Sequence, residues 1–225
     1  MADTERVLTA FRDECGRLEG VLRGLGETEY GRASSCPPWT VKGLVAHLVS
    51  GAGRPVGMVG GPEPDEVDFD ASGYFRPAIF TAETDRARVA EAEEEAEAAE
   101  GKELAGEFAR TWRAAHAAVA AQPPGRRVVT RHGDRMLLTE FLRTRVVELV
   151  LHGLDLAISL DRPPWTAPSA AAVTAEVLLA DGAERAVELG WDPPVLLAKA
   201  SGRVPLTPEE AEAAHRLGVR WLPLG

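Results

Sequence analysis

Apolar residues recur at three- and four-residue spacing along most of this chain, which is the period of an amphipathic helix. One such helix is predicted from Asp3 to Leu25. A second begins after Thr40, a good N-cap residue, and is expected to end at Gly51 or Gly53. The segment from Thr81 to about Ala121 is predicted to be one long helix, stopped by the two prolines that follow.

The second half of the chain continues the helical pattern with one interruption. Short apolar runs from Val128 to Leu138 predict a small hairpin or an extended crossover, and Thr139 is expected to cap the next helix. Ser169–Leu189 is predicted to be a further helix, and Thr207–Glu210 carries the residues of a capping box with proline at the first helical position. Val219–Leu224 is predicted to be a final strand or an apolar tail.

The segment from Gly51 to Phe80 is the least regular part of the sequence. Glycine, proline and aspartate are dense there, with scattered aromatic residues between them. A loop of this length inside a compact domain is usually functional or mobile, so we expect it to cover the mouth of a site. The whole pattern predicts a mainly α protein, with a helical bundle in residues 1–162 and a small C-terminal segment, 163–225, packed on it.

Composition narrows the classes of function. The chain has 35 acidic and 25 basic residues, a formal net charge of -10, which disfavours binding to nucleic acid backbones. No apolar stretch approaches the ~20 residues of a membrane span, and the N-terminus lacks the apolar core of a signal peptide. We therefore expect a cytoplasmic protein with reduced thiols. Cys15 and Cys36 do not have metal-ligand spacing and are expected to be a helix residue and a loop residue.

Glu148 and His152 carry the strongest chemical signal. They are four residues apart in a largely apolar helical segment, so both side chains lie on one face, one turn apart. Burying an ionised carboxylate without a partner costs roughly several kcal/mol or forces its protonation. A hydrogen-bonded Glu–His pair would remove that cost, and so would a divalent metal ion held by both residues.

His47 supplies the third candidate ligand. It lies among apolar residues on a helix far away in sequence, where a histidine is commonly a hydrogen-bonded core residue. In a bundle, however, this helix can face the one that carries Glu148 and His152. Two imidazoles and a carboxylate suit Zn²⁺ and leave a position open for substrate or water.

Three further residues are candidates around this centre. Arg145, one turn before Glu148, is predicted as a catalytic residue that holds a substrate carboxylate or Glu148 itself. Asp155, one turn after His152, is predicted to orient that imidazole, with an exposed ion pair as the alternative. Arg203 is predicted to bind the anionic part of a cofactor, with a plain surface arginine as the alternative. His132 is expected to be exposed.

Three segments resemble the mycothiol-dependent maleylpyruvate isomerase family, which belongs to the DinB-like metal-binding four-helix bundles. They are W-T-V-K-G-L-V-A-H-L, ending at Leu48, R-V-V-E-L-V-L-H-G-L-D-L, ending at Leu156, and the lead-in from Gly133 to Phe141. Gly43 stands where the family usually has an acid. The resemblance implies a DinB-like four-helix bundle with a short α(+β) C-terminal extension. It also implies mycothiol as the thiol cosubstrate, and a metal held by His47, Glu148 and His152.

The leading functional hypothesis is a metal-dependent mycothiol S-transferase. A thiol on the metal would ionise far below its usual pKa of ~8.5 and attack a small electrophile. The alternatives are the isomerase itself, a metal-dependent hydrolase that activates water, and a metal-binding stress protein without turnover. Because the tail is short for the isomerase's second domain, and because Gly43 replaces an acid, the sequence predicts an electrophile other than maleylpyruvate. A monomer or homodimer is expected.

Overall fold

The computed structural model describes residues 2–79, 81–179, 182–219 and 221, and these are mostly helical. A single two-stranded antiparallel sheet lies between the helices within this part of the chain. In chain order the elements are α1 (Ala2–Arg23), α2 (Glu27–Tyr30), α3 (Val41–Val59), α4 (Ala71–Tyr74), a 3-10 turn (Pro77–Ile79), α5 (Ala82–Ala98), α6 (Gly101–Ala120), β1 (Arg127–Val129), β2 (Arg135–Leu137), α7 (Leu138–Ser159), α8 (Pro168–Leu179), α9 (Ala183–Ala186), a second 3-10 turn (Val187–Leu189), α10 (Pro193–Ala200) and α11 (Pro208–Arg216).

Four long helices form the bundle. Helices α1 and α3 each pack against both α6 and α7, so the four close around one core. Aromatic and aliphatic side chains from all four are fully buried in it, among them Phe11, Leu44, Phe108 and Phe141. Burial of each such side chain stabilises the fold by roughly 1.5–3 kcal/mol. The prediction of a mainly α four-helix bundle is confirmed.

Helix α3 is longer than the sequence suggested. The expectation that it ends at Gly51 or Gly53 is wrong, because it continues through Pro55 to Val59 and is capped at Gly60. The reason lies in packing: a Cβ added at Gly53 would lie 2.8 Å from Cγ2 of Thr111 on α6. Gly53 therefore permits close approach of two helices and does not end one.

The irregular segment predicted from Gly51 to Phe80 is correspondingly shorter. It begins after α3 and contains α4 and the 3-10 turn Pro77–Ile79. Phe80 lies outside the described residues. Asp70 caps α4 by accepting a hydrogen bond from Gly73 N at 2.8 Å. The Glu140 carboxylate of α7 accepts another from Ala71 N at 3.0 Å, which attaches this segment to the bundle.

The predicted single helix from Thr81 to Ala121 is divided into α5 and α6. Ala99 is extended, and Glu100 is the N-cap of α6, where Glu103 completes a capping box. Glu27 accepts hydrogen bonds from the first backbone N–H groups of α6, at 3.1 Å from Gly101 N and 3.3 Å from Lys102 N. The break depends on these contacts with a distant part of the chain, which helix propensity does not reveal.

The C-terminal segment packs on the bundle through α8, which contacts α1 and α7, and through α10, which contacts α8 and α7. The hairpin is confirmed, with Val128 opposite Met136, and so is the capping box at Thr207. The predicted helix Ser169–Leu189 is divided, and its residues 180 and 181 lie outside the described part. So do residues 220 and 222–224 of the predicted tail. The division of domains at residue 162 stays a prediction.

Among the described residues, no helix is both long and apolar enough to cross a membrane.

Candidate metal centre

His47, Glu148 and His152 come together where α3 faces α7. The Oε2 atom of Glu148 lies 3.7 Å from Nε2 of His47 and 3.3 Å from Nε2 of His152. One donor atom from each of the three residues lies within 4.8 Å of the others. The structure thus brings together the three residues that the sequence nominated as ligands, two of them from one helix and the third from its neighbour. That they hold a metal ion stays a prediction.

The side chain of Trp39 fixes the orientation of His47. The two rings stack with their centroids 4.8 Å apart and their planes inclined by 24°. Gly43, one turn before His47, makes room for the indole, because an added Cβ would lie 3.2 Å from Cδ1 of Trp39. A side chain at this position would require the indole to shift by a few tenths of an ångström, so the glycine favours the observed Trp39–His47 stack.

Asp155 holds the other imidazole. Its Oδ2 lies 2.9 Å from Nδ1 of His152, as the sequence predicted for an orienting carboxylate. Arg203 from the C-terminal segment donates two hydrogen bonds to the same carboxylate, at 2.8 and 2.7 Å. Burial alone would raise the pKa of Asp155, but the hydrogen bonds from His152 and Arg203 hold it well below its usual value. The ionised carboxylate therefore orients the imidazole, with Nδ1 toward Asp155 and Nε2 toward Glu148.

The electrostatics of Glu148 and His47 suit a divalent cation. Burial opposes the charge on Glu148, yet hydrogen bonds with His152 and His47 keep its pKa well below the usual value. Burial lowers the pKa of His47 to about 4, so its imidazole is neutral near pH 7. Burial opposes the charge on His152, but hydrogen bonds with Asp155, Cys36 and Glu148 hold its pKa well above the usual value, so a cation bound there would replace a proton. An ionised carboxylate beside imidazole nitrogens, enclosed by the bundle, is a donor set that zinc accepts. The residues present therefore fit the predicted metal.

A cavity of 810 Å³ opens beside Glu148 and His152. Trp39, Arg203 and Cys36 also line it. Cys36, expected to be only a loop residue, is half-buried here, and its thiol, His152 and Asp155 offer donor atoms within 4.8 Å of one another. The one signal in the sequence was its place just before the W-T-V motif. Arg203 lies at this cavity, and its predicted role in binding a cofactor stays a prediction.

Arg145 occupies a different side of the centre. It is buried, its Nε donates to Thr144 Oγ1 at 3.1 Å, and its guanidinium lies over the rings of Phe141 and Tyr74 at 4.8 and 5.7 Å. It forms no ion pair with Glu148 within 4.0 Å in the described part of the chain. His132 is half-buried near Tyr74, with ring centroids 6.1 Å apart, so the expectation of an exposed histidine is wrong.

Comparison with solved structures identifies the fold. The crystal structure of a mycothiol-dependent maleylpyruvate isomerase matches with a TM-score of 0.54 and 18% identity, covering 80% of this chain and 69% of that one. A histidine-to-alanine mutant of that enzyme matches with a TM-score of 0.55 and 17% identity, at the same coverage. No curated protein matches the chain.

The sequence itself matches the model of one protein family, described as the mycothiol maleylpyruvate isomerase N-terminal domain, over residues 11–157. That range contains His47, Glu148 and His152, all of α3 and α6, most of α7 and the C-terminal part of α1. The match covers more than half of the chain and agrees with the fold. This protein therefore belongs to the mycothiol maleylpyruvate isomerase family.

Proposed function

We propose that this protein is a mycothiol-dependent isomerase that acts on a small cis-alkene acid of the maleylpyruvate type. The observation that carries the proposal is the donor set of His47, Glu148 and His152, which lies at the edge of the 810 Å³ cavity and within the residues that match the family. The family match supports an isomerase more strongly than it supports a general S-transferase, which is the function that the sequence motifs favour.

A divalent ion held by the three candidate ligands would favour the thiolate form of a thiol bound beside it. Neighbouring residues of the protein orient the two candidate imidazole ligands. Asp155 fixes the imidazole of His152, and the Trp39 ring fixes that of His47 and shields it from water. Arg203 joins Asp155 to the wall of the cavity, so the C-terminal segment contributes to the same surface as the bundle.

Isomerisation needs no oxidant or other co-reactant. The thiolate sulfur forms a bond to one alkene carbon, and the π electron pair moves toward the conjugated carbonyl group. Rotation about the resulting single bond changes the geometry. The C–S bond then breaks, the electron pair restores the double bond in the trans form, and the thiolate is regenerated. An S-transferase would share the first step, but it would protonate the adduct and release a stable thioether.

The test is to incubate zinc-loaded protein with mycothiol and maleylpyruvate and to follow both fumarylpyruvate and thioether. We expect fumarylpyruvate to form without loss of free thiol, and glutathione to substitute poorly. Glu148→Gln should abolish conversion, whereas Glu107→Gln, at an exposed position of α6, should not change it. Accumulation of a thioether would favour the S-transferase instead. Hydrolysis without thiol, or no turnover of any substrate, would refute both thiol-dependent functions.

A further inference from the structure

The candidate metal centre is bordered by a second, basic space besides the 810 Å³ cavity. A narrow cleft of about 20 Å³, room for roughly one water-sized group, reaches His47 and Glu148, and it is also lined by Arg145 and Arg88. The cleft shares Arg54, Tyr74 and Arg131 with a cavity of 540 Å³ on the outer side. His152 lines the 810 Å³ cavity and His47 lines the cleft, so the two spaces meet different ligands of the same centre.

Three of the arginines around the cleft lack a hydrogen-bonded carboxylate within the described residues. Arg54 and Arg131 share one oxygen of Glu91, at 3.7 and 3.9 Å, too far for hydrogen bonds. Arg145 has the Thr144 hydroxyl and two aromatic rings for neighbours. The carboxylate of Glu91 is itself 46% exposed, so it neutralises the cluster poorly.

This shortage of carboxylates is unusual for the molecule. The chain carries ten more acidic than basic residues, and most of its other described arginines pair with acids at close range, as Arg6 does with Glu176 at 2.7 Å and Arg162 with Glu29 at 2.6 Å. Burial, and then the charges of Arg131 and Arg145, lower the pKa of Arg54. Guanidinium groups that repel one another in a partly dry cleft favour an anion between them, because each can donate two hydrogen bonds to one carboxylate.

We propose that Arg54, Arg131 and Arg145 form the subsite for the carboxylate groups of the electrophile, separate from the 810 Å³ cavity that takes the thiol. The outer cavity adds apolar walls from Met58 and Phe141, which suit the short carbon chain between two carboxylates. Thiol and electrophile would then approach the centre from different spaces and be held together without competing. The inference rests on the proposed function in naming the bound anion an electrophile.

The test is isothermal titration of the zinc-loaded protein with maleate, a cis-dicarboxylate. Arg54→Gln and Arg131→Gln are each expected to weaken maleate binding at least tenfold and to leave the Kd for mycothiol within twofold. Arg131→Lys, which keeps the charge, should lose less. Arg110→Gln is the matched control, because Arg110 is exposed on α6 and pairs with Glu107. Melting temperatures establish that each variant is folded.

Saturating mycothiol should change the Kd for maleate by less than threefold, because the two ligands occupy different spaces. Competition between them would overturn the proposal, as would maleate affinity that survives both glutamine substitutions. Inorganic phosphate binding as tightly as maleate would overturn the assignment to carboxylates. Because binding is measured without turnover, maleate binding that depends on these arginines, in a protein that does not isomerise, would refute the proposed function and leave the subsite standing.

Discussion

The Nδ1 atom of His152 lies 2.9 Å from Oδ2 of Asp155, and this contact links the candidate metal centre to the C-terminal segment. The link exists because Arg203, beyond α10, holds both oxygens of the same carboxylate. Asp155 is buried, so neither water nor an alternative partner readily replaces these bonds. The geometry of a bundle residue thus depends on a side chain about fifty positions later in the sequence.

Asp155→Asn should weaken zinc binding by about 10- to 100-fold, the usual effect of removing a carboxylate behind a ligating imidazole. The amide keeps the size of the side chain but loses the charge that holds the proton on Nδ1. Competition with a chromophoric chelator measures the affinity. Asp161→Asn is the control, since Asp161 is exposed and pairs with Arg32. Equal zinc affinity in both variants would show that Asp155 has only a structural role.

His47→Ala should remove most of the bound metal while the bundle stays folded. Its imidazole is one of three candidate ligands, and the ring also stacks on Trp39, so we expect a moderate loss of stability as well. Elemental analysis and thermal unfolding on one sample separate the two effects. His116→Ala, on α6, is the matched control. Full metal content in the His47 variant would show that His47 is a core residue and not a metal ligand.

Glu14→Gln should stabilise the protein at alkaline pH but not at acidic pH. Glu14 is fully buried; Oε2 accepts a hydrogen bond from Ala167 N at 2.7 Å, while Oε1 has no partner. Burial raises its pKa to about 7 from 4.5. The folded state therefore favours the protonated form of Glu14. The corresponding contribution to the free energy of unfolding is fully present below pH 4.5 and is lost as the pH rises through 7.

The difference in unfolding free energy between Glu14→Gln and the unaltered protein should consequently grow by up to about 3 kcal/mol from pH 4.5 to pH 8. Urea unfolding at several pH values measures it, and the acidic end of the series is the internal control. The glutamine carbonyl can still accept the hydrogen bond from Ala167. A difference that does not change with pH would contradict the assignment.

Two glycines of α6 should respond to alanine in opposite directions. A Cβ at Gly101 would lie 2.1–2.6 Å from ring atoms of Tyr30, which is fully buried and donates its hydroxyl to Leu22 O. Gly101→Ala should destabilise the protein by about 1–3 kcal/mol through overpacking. At Gly106 the nearest atom is the flexible end of Arg110 at 3.4 Å, so alanine should stabilise by about 0.5–1 kcal/mol. Denaturant midpoints that move in the same direction would be inconsistent with this packing.

Local sequence was sufficient for much of the bundle and for the nomination of its site. Capping residues such as Thr40 and Thr207 depend on neighbours within one or two turns, and the structure agrees with both. The expectation that Thr139 caps α7 is wrong, because Leu137 is the N-cap and Thr139 lies inside the helix. The spacing of Glu148 and His152 places both on one face of any helix, whatever surrounds it. The pairing of Asp155 with His152 follows from the same short-range geometry.

What depends on distant parts of the chain was decided only by the tertiary structure. Gly53 lies inside α3, where α6 packs so closely that a Cβ would clash with it. Helices α5 and α6 separate where Glu27 and Tyr30 contact Gly101. Cys36 and Arg131 reach the surroundings of the centre from loops that no local pattern relates to it. Periodicity determines which face of a helix is buried, but only packing determines which other residues that face meets, because contacts across the core join positions whose separation in sequence carries no signal.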